Sequence, residues 1–94
     1  MIHVRLTSRA YNDLTSITSY LTEHAPEAAP AVMLRIEQTL DHISRFPHLG
    51  RAGRRANTRE VVVPQLPFLI AYRIAGDVVE VLTIFHTAQD PEQI

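Results

Sequence analysis

The sequence predicts an α+β fold with an N-terminal strand and an antiparallel two-helix hairpin, the hairpin packed on a four-stranded, mainly antiparallel sheet. Three observations predict it. Apolar residues recur at helical spacing twice between residues 8 and 45, with a short proline-containing break between the two runs. Residues 60–87 are rich in β-branched and aromatic side chains, punctuated by Pro64, Pro67 and Gly76-Asp77. Residues 2–6 alternate apolar and polar side chains ahead of the first helical run.

Taken in order, Ile2, Val4 and Leu6 alternate with His3 and Arg5, the period of a half-buried strand. Thr7 and Ser8 then offer N-cap hydroxyls. Ala10, Leu14, Ile17 and Leu21 follow at spacings of four, three and four, forming one helical stripe with Asp13, Ser16 and Glu23 placed away from it. After His24-Ala25-Pro26-Glu27 a second stripe runs through Ala29, Val32, Ile36, Leu40 and Ile43, and so tight a link implies an antiparallel pair. Pro26 suits a first helical turn, whereas Pro30 would clash deeper in a helix. The second helix therefore either begins near Pro30 or is preceded by a single turn. Its end is set by Phe46, which Pro47 pushes out of the helical region.

From Pro47 to Thr58 periodicity is lost and Gly50 and Gly53 sit among arginines, which reads as an exposed loop. Glu60 to Val63 is a short strand ended by Pro64. Pro67 to Ile74 and Val78 to Thr87 are longer strands joined by a two-residue turn at Gly76-Asp77. Counting back from that turn pairs Ala75 with Val78, Ile74 with Val79, Arg73 with Glu80, Tyr72 with Val81, Leu69 with Ile84 and Phe68 with Phe85. One face then carries Phe68, Ile70, Tyr72, Ile74, Val79, Val81 and Phe85 toward the helices. The other carries Leu69, Ala71, Arg73, Glu80, Leu82, Ile84 and His86, which is too apolar to be merely solvated and so suggests a binding surface beside the arginine loop.

Charge sharpens that reading. All nine basic residues are arginine. Within residues 45–60, Arg45, Arg51, Arg54, Arg55 and Arg59 face only Glu60, a local net of +4, while residues 8–44 carry a net of −3 and the chain −1. Guanidinium forks suit carboxylates and phosphates, so the cluster is built to hold an acidic partner. The near-neutral total argues against a protein that coats nucleic acid over its whole surface. At 94 residues the chain is expected to be one domain, residues 1–94. It has no cysteine for disulfide or thiolate chemistry, no apolar run of the roughly 20 residues a membrane span needs, and no basic-then-apolar leader at its start; a cytoplasmic location is the resulting expectation.

The candidate binding residues are therefore Arg51, Arg54, Arg55 and Arg59 on the loop, with Leu69, Arg73, Leu82, Ile84 and His86 on the sheet. Each has a plainer alternative: loop arginines pair with Asp41 or Glu60, and Arg73 forms a cross-strand ion pair with Glu80 worth under about 1 kcal/mol. His86 is either an acid–base group or a hydrogen-bonded structural histidine. No metal site is expected, since His3, His24, His42, His48 and His86 show no i, i+4 pair. Gly50-Arg51-Ala52-Gly53 lacks the lysine and hydroxyl of a phosphate-binding loop, no serine sits in a Gly-x-Ser-x-Gly setting, and no cofactor is implied.

The chain also carries a series of short words in a specific order. They are Ala10-x-x-Asp13-Leu14-x-x-Ile17-x-x-Tyr20, Pro26-Glu27-Ala28-Ala29, Ile36, Ile43-x-x-Phe46-Pro47-x-x-Gly50-Arg51-x-Gly53, Arg59-Glu60, Ile70-Ala71-Tyr72-Arg73 and Val81-Leu82-x-x-x-His86. In this order they resemble the ParE/RelE superfamily of toxins from type II toxin–antitoxin modules, nearer the ParE branch. The resemblance implies a toxin neutralised by a cognate antitoxin in a hetero-oligomer. For the ParE branch it implies DNA gyrase as target, and for the RelE branch cleavage of messenger RNA on the ribosome. In the RelE branch an arginine commonly stands where this chain has Leu69, with Ile84 expected opposite. Cleavage needs a base, an acid and a cation at one spot. Were the chain a ribonuclease, Arg51, Arg54 and His86 would be its catalytic candidates; the apolar pair instead favours a non-enzymatic gyrase inhibitor.

Overall fold

Strand β1 (His3–Leu6), helix α1 (Ser8–His24), helix α2 (Ala29–Arg45) and strands β2 (Arg51–Ala52), β3 (Arg59–Val62), β4 (Phe68–Ala75) and β5 (Val78–His86) make up the computed structural model, which describes residues 2–89. The expected domain of residues 1–94 extends past those bounds at both ends. The strands form one sheet in the order β1-β5-β4-β3-β2. It has five strands where the sequence suggested four, because Arg51 and Ala52 inside the expected loop pair with Glu60 and Arg59. β1 lies parallel to β5, and the remaining pairs are antiparallel.

The helix ends follow from local chemistry. Thr7 caps α1: its Oγ1 accepts from the Ala10 amide at 3.1 Å and donates to the Leu82 carbonyl at 3.1 Å, so one side chain closes the helix and ties it to β5. Both readings of the interhelical link hold together. A turn closed by the Ala28 amide on the Ala25 carbonyl accommodates Pro26, and α2 starts at Ala29 with Pro30 in its first turn, where no amide is needed. α2 ends at Arg45, with Phe46 as C-cap before Pro47. Ser44 then clips the chain start, donating its hydroxyl to the Ile2 carbonyl at 2.6 Å while its own carbonyl accepts from the Ile2 amide.

The core fills the space between the helices and one sheet face. Ala10 from α1, Ile36 and Ile43 from α2, and Ile70, Tyr72, Val79, Val81 and Ile84 from the sheet are buried there, with Leu14, Ile17, Val32 and Leu40 packed around them. Full burial of an aliphatic side chain contributes about 1.5–3 kcal/mol, so this cluster supplies most of the driving force for folding.

The β4–β5 hairpin turns at Gly76 with φ +63°, the positive first-position φ of a type II′ turn. From there the register runs as expected through Ala75–Val78, Ile74–Val79, Arg73–Glu80 and Tyr72–Val81. It then shifts. Ala71 pairs with Thr83, Ile70 with Ile84, Leu69 with Phe85 and Phe68 with His86, leaving Leu82 as the extra residue of a β-bulge. The expected Leu69–Ile84 and Phe68–Phe85 pairs are thereby replaced.

Candidate functional site

One inserted residue reassigns the faces of β5, because side chains alternate with a strict period of two. Ile84 turns into the helix-side core and is 1% exposed, while Phe85 takes the opposite face beside Leu69. The expectation that Leu69, Ile84 and His86 share an exposed apolar face is corrected accordingly: Leu69 is 4% exposed, Ile84 is core, and His86 faces the helix side with Phe68. Asp13 stabilises the bulge. Its Oδ2 accepts from Thr83 Oγ1 at 2.7 Å and from the Ile84 amide at 3.0 Å, serving an amide that the disrupted ladder leaves over. The helical stripe read from the sequence leaves Asp13 off the apolar face of α1. Yet it lies three residues after Ala10 and four before Ile17, so a carboxylate on the buried side of that helix was the signal for such a role.

The face away from the helices carries two clusters of like design. In the first, Glu80 bridges two guanidiniums, with Arg5 Nη2 at 2.6 Å and Arg73 Nε at 2.7 Å. Hydrogen bonds from Arg5 and then Arg73 hold the Glu80 carboxyl below its ordinary 4.5. The Arg73–Glu80 pair matches the cross-strand contact expected; Arg5 joins it because β1 docks beside β5, with Arg5 opposite Glu80. In the second cluster buried Glu60 is the hub. It accepts from the Arg54 amide at 3.1 Å, and Arg51 Nη2 lies 3.5 Å and Arg54 Nε 3.9 Å from its oxygens. The Arg54 guanidinium also sits 6.0 Å over the Phe85 ring, a cation–π distance that shields the satellite pair of Phe85 and Leu69 from one side.

The other loop positions divide in two. Arg55 is exposed at the loop tip, where its carbonyl accepts from the amide and hydroxyl of Thr58. Arg59, expected on the binding surface, points inward instead. Its Nη1 donates to the Gly50 carbonyl at 2.8 Å and the His48 carbonyl at 3.3 Å, fixing the start of the loop. Tyr72 completes that fixture from the core. Its hydroxyl donates to the Pro47 carbonyl at 2.7 Å and accepts from the Gly50 amide at 2.9 Å. Gly50 has to be glycine here, because a Cβ would lie 2.7 Å from the Tyr72 hydroxyl.

His86 ends β5, edge-on to the Phe68 ring with centroids 5.5 Å apart. Its Nδ1 accepts from the Ala88 amide at 3.0 Å, so the neutral ring carries its proton on Nε2 and presents a donor outward. It lines a groove of about 850 Å³ with α1 residues Arg9, Asp13, Ile17 and Tyr20, on the side of the sheet away from Arg51 and Arg54. Leu82 is half-buried at the bulge. No group of acidic and histidine side chains that could hold a metal ion occurs among the described residues.

Comparisons with known proteins fit this architecture. Residues 4–91 match the family model described as ParE toxin of type II toxin-antitoxin system, parDE. A putative toxin, Y4kP, of Sinorhizobium fredii is 40% identical over 91 residues, covering 97% of this chain and 94% of that one. Toxin RelE2 of Caulobacter vibrioides is 35% identical over 89 residues, covering 95% and 99%. Among solved structures, the chromosomal ParDE system from P. aeruginosa superposes with a TM-score of 0.82 at 21% identity, over 92% of this chain and 96% of that one. The E. coli RelBE toxin–antitoxin complex superposes at 0.65 and 11% identity, over 92% and 96%; both are similarities of fold. By the family match and by these relatives, the chain belongs to the ParE toxin family, within the ParE/RelE superfamily of type II toxin–antitoxin toxins.

Proposed function

We propose that this toxin acts as ParE-like proteins do, inhibiting DNA gyrase by binding rather than by cutting nucleic acid, and that a cognate antitoxin neutralises it in a hetero-oligomer within the cytoplasm. Arg51, Arg54, Arg55 and Arg73 are the target-facing residues in this reading. One observation carries it: the bulge at Leu82 sends His86 to the opposite side of the sheet from Arg51 and Arg54. Cleavage through a ribose hydroxyl needs base, acid and cationic stabilisation around one phosphate. Here His86, the base candidate the sequence offers, lies on the other face of the sheet from the Arg51–Glu60 cluster and has its accepting nitrogen occupied by the Ala88 amide. The centre of the open face, at Leu69 and Phe85, is apolar, and the Arg54 guanidinium over it is engaged with the Phe85 ring and with Glu60.

The RelE names of two curated relatives keep ribosome-dependent messenger cleavage as the competing reading, and loss of toxicity as the third. Purified protein added to a gyrase supercoiling assay and to a programmed ribosome separates them. Inhibition of supercoiling with an intact transcript is the expected result. Transcript cleavage without gyrase inhibition overturns it in favour of the ribonuclease, and silence in both assays overturns it in favour of a binding module.

A further inference from the structure

The outer edge of β3 is left open next to an apolar, cation-rimmed groove. The Val63 amide donates to the Phe68 carbonyl at 2.8 Å, and antiparallel pairing alternates, so Val61 and Arg59 direct their backbone groups at β4 while Glu60 and Val62 direct theirs outward. The short β2 meets only part of that edge. Its ladder pairs Arg51 with Glu60, and the next outward pair would be Leu49 with Val62. Leu49 instead donates its amide to the Phe46 carbonyl, so the N–H and C=O of Val62 have no strand partner among the described residues.

Three features converge there. Val62 is 50% exposed and Leu49 49%, a large apolar surface for an edge that carries no covering strand. Together with Val61 and Pro64 they line a groove of about 590 Å³ running along α2. Its charged lining is Arg35 and Arg51 with the buried Glu60, beside the polar Gln38, Thr39 and His42. The Arg35 guanidinium makes no ion pair or hydrogen bond among the described residues, and Arg51 reaches Glu60 only at 3.5 Å. A segment that fits has backbone groups to pair with Val62, apolar side chains for Leu49 and Val61, and carboxylates for the two guanidiniums.

We propose that this edge receives an extended, acidic–apolar segment of a protein partner, which adds as a strand beside β3 at the position that β2 leaves vacant. The proposal rests on the reading that a protein antitoxin neutralises the toxin, and it names the surface and the chemistry of that contact. Charge and backbone together decide the class of occupant: the exposed guanidiniums of Arg35 and Arg51 outnumber the one buried carboxylate of Glu60, and the edge offers amide and carbonyl groups that a peptide backbone matches one for one.

The test uses the full chain and a short capped peptide alternating glutamate and valine, with a lysine–valine peptide and a single-stranded oligonucleotide as comparisons. Expected are binding of the acidic peptide alone, slowed hydrogen exchange at the Val62 amide, and an affinity that falls as salt rises. Val62→Pro removes the outward donor and is expected to weaken binding at least tenfold; Arg35→Glu, on an exposed helix position, is expected to do the same with thermal stability unchanged. Equal binding of the lysine peptide, an exchange rate at Val62 that does not respond, or unweakened binding by Arg35→Glu overturns the proposal. Preferential binding of the oligonucleotide to this groove also overturns it. Failure of the wild-type protein to bind the acidic peptide, with gyrase inhibition intact, removes this contact alone, whereas wild-type protein that binds peptide but leaves gyrase untouched removes the gyrase reading alone.

Discussion

Replacing Tyr72 with phenylalanine tests how the arginine loop is held. The side chain is 0% exposed, and its hydroxyl satisfies two backbone groups, donating to the Pro47 carbonyl and accepting from the Gly50 amide. Tyr72→Phe keeps the ring and its packing but strands both partners. Each buried group left without a hydrogen bond costs about 1–3 kcal/mol. Pro47 is only half-buried, so water recovers part of its share, and the expected total is about 2–4 kcal/mol. With a urea m-value of about 2 kcal/mol/M, the midpoint drops by about 1–2 M without a change in slope. Hydrogen exchange supplies the local readout, since the Gly50 amide is expected to lose protection beyond the global change. A midpoint shift below about 0.5 kcal/mol in equivalent free energy, or a Gly50 amide as protected as in the parent, would refute the claim that this hydroxyl anchors the loop.

Gly50→Ala presses on the same contact from the other side: a Cβ 2.7 Å from the Tyr72 hydroxyl forces the ring or the loop to move, and a loss of about 1–3 kcal/mol is expected in the same urea titration. Asp13→Ala strips the acceptor from the Ile84 amide and Thr83 hydroxyl, and is expected to cost about 1–3 kcal/mol, with exchange at the Ile84 amide accelerated selectively. Glu80→Gln tests acid stability. The carboxyl is held below 4.5 by Arg5 and Arg73, so its stabilising contribution is complete above that value and is lost as pH falls through the folded-state pKa. Melting temperature recorded against pH is expected to fall less steeply below about 4.5 in the variant than in the parent, and parallel acid limbs would contradict the assignment.

What the sequence made legible, and what it hid, follows from the range of each interaction. The two helices are written in stripes and caps: Thr7, Pro30 and the Phe46-Pro47 stop each act within a turn of themselves. The Gly76-Asp77 turn propagates its register outward only while the ladder stays regular, so four pairs follow from it and the pairs beyond Leu82 do not. The bulge is tied to Asp13 and Thr7, groups some seventy residues upstream, and no local pattern in β5 announces it. Arg5 in the Glu80 cluster is hidden for a related reason: it depends on β1 docking parallel to β5. The arginine loop was located by composition, but composition does not tell an outward guanidinium such as Arg51 from one like Arg59 that is spent on carbonyls. β2 exists as a strand only through its partner, and two residues carry no period of their own.

That parallel docking has a bearing on when the molecule becomes whole. The first strand finds its neighbour only in the last, so a nascent chain emerging from the ribosome can wind both helices yet has nowhere to seat residues 3–6 until residues 78–81 are free. The Ser44 clip to Ile2 can hold the leading end near α2 in the meantime. Both arginine–glutamate clusters wait on that final stretch or on the strand it stabilises, since Glu80 itself lies in β5. A product truncated before β5 therefore lacks Glu80, and with it the carboxylate that draws Arg5 and Arg73 together.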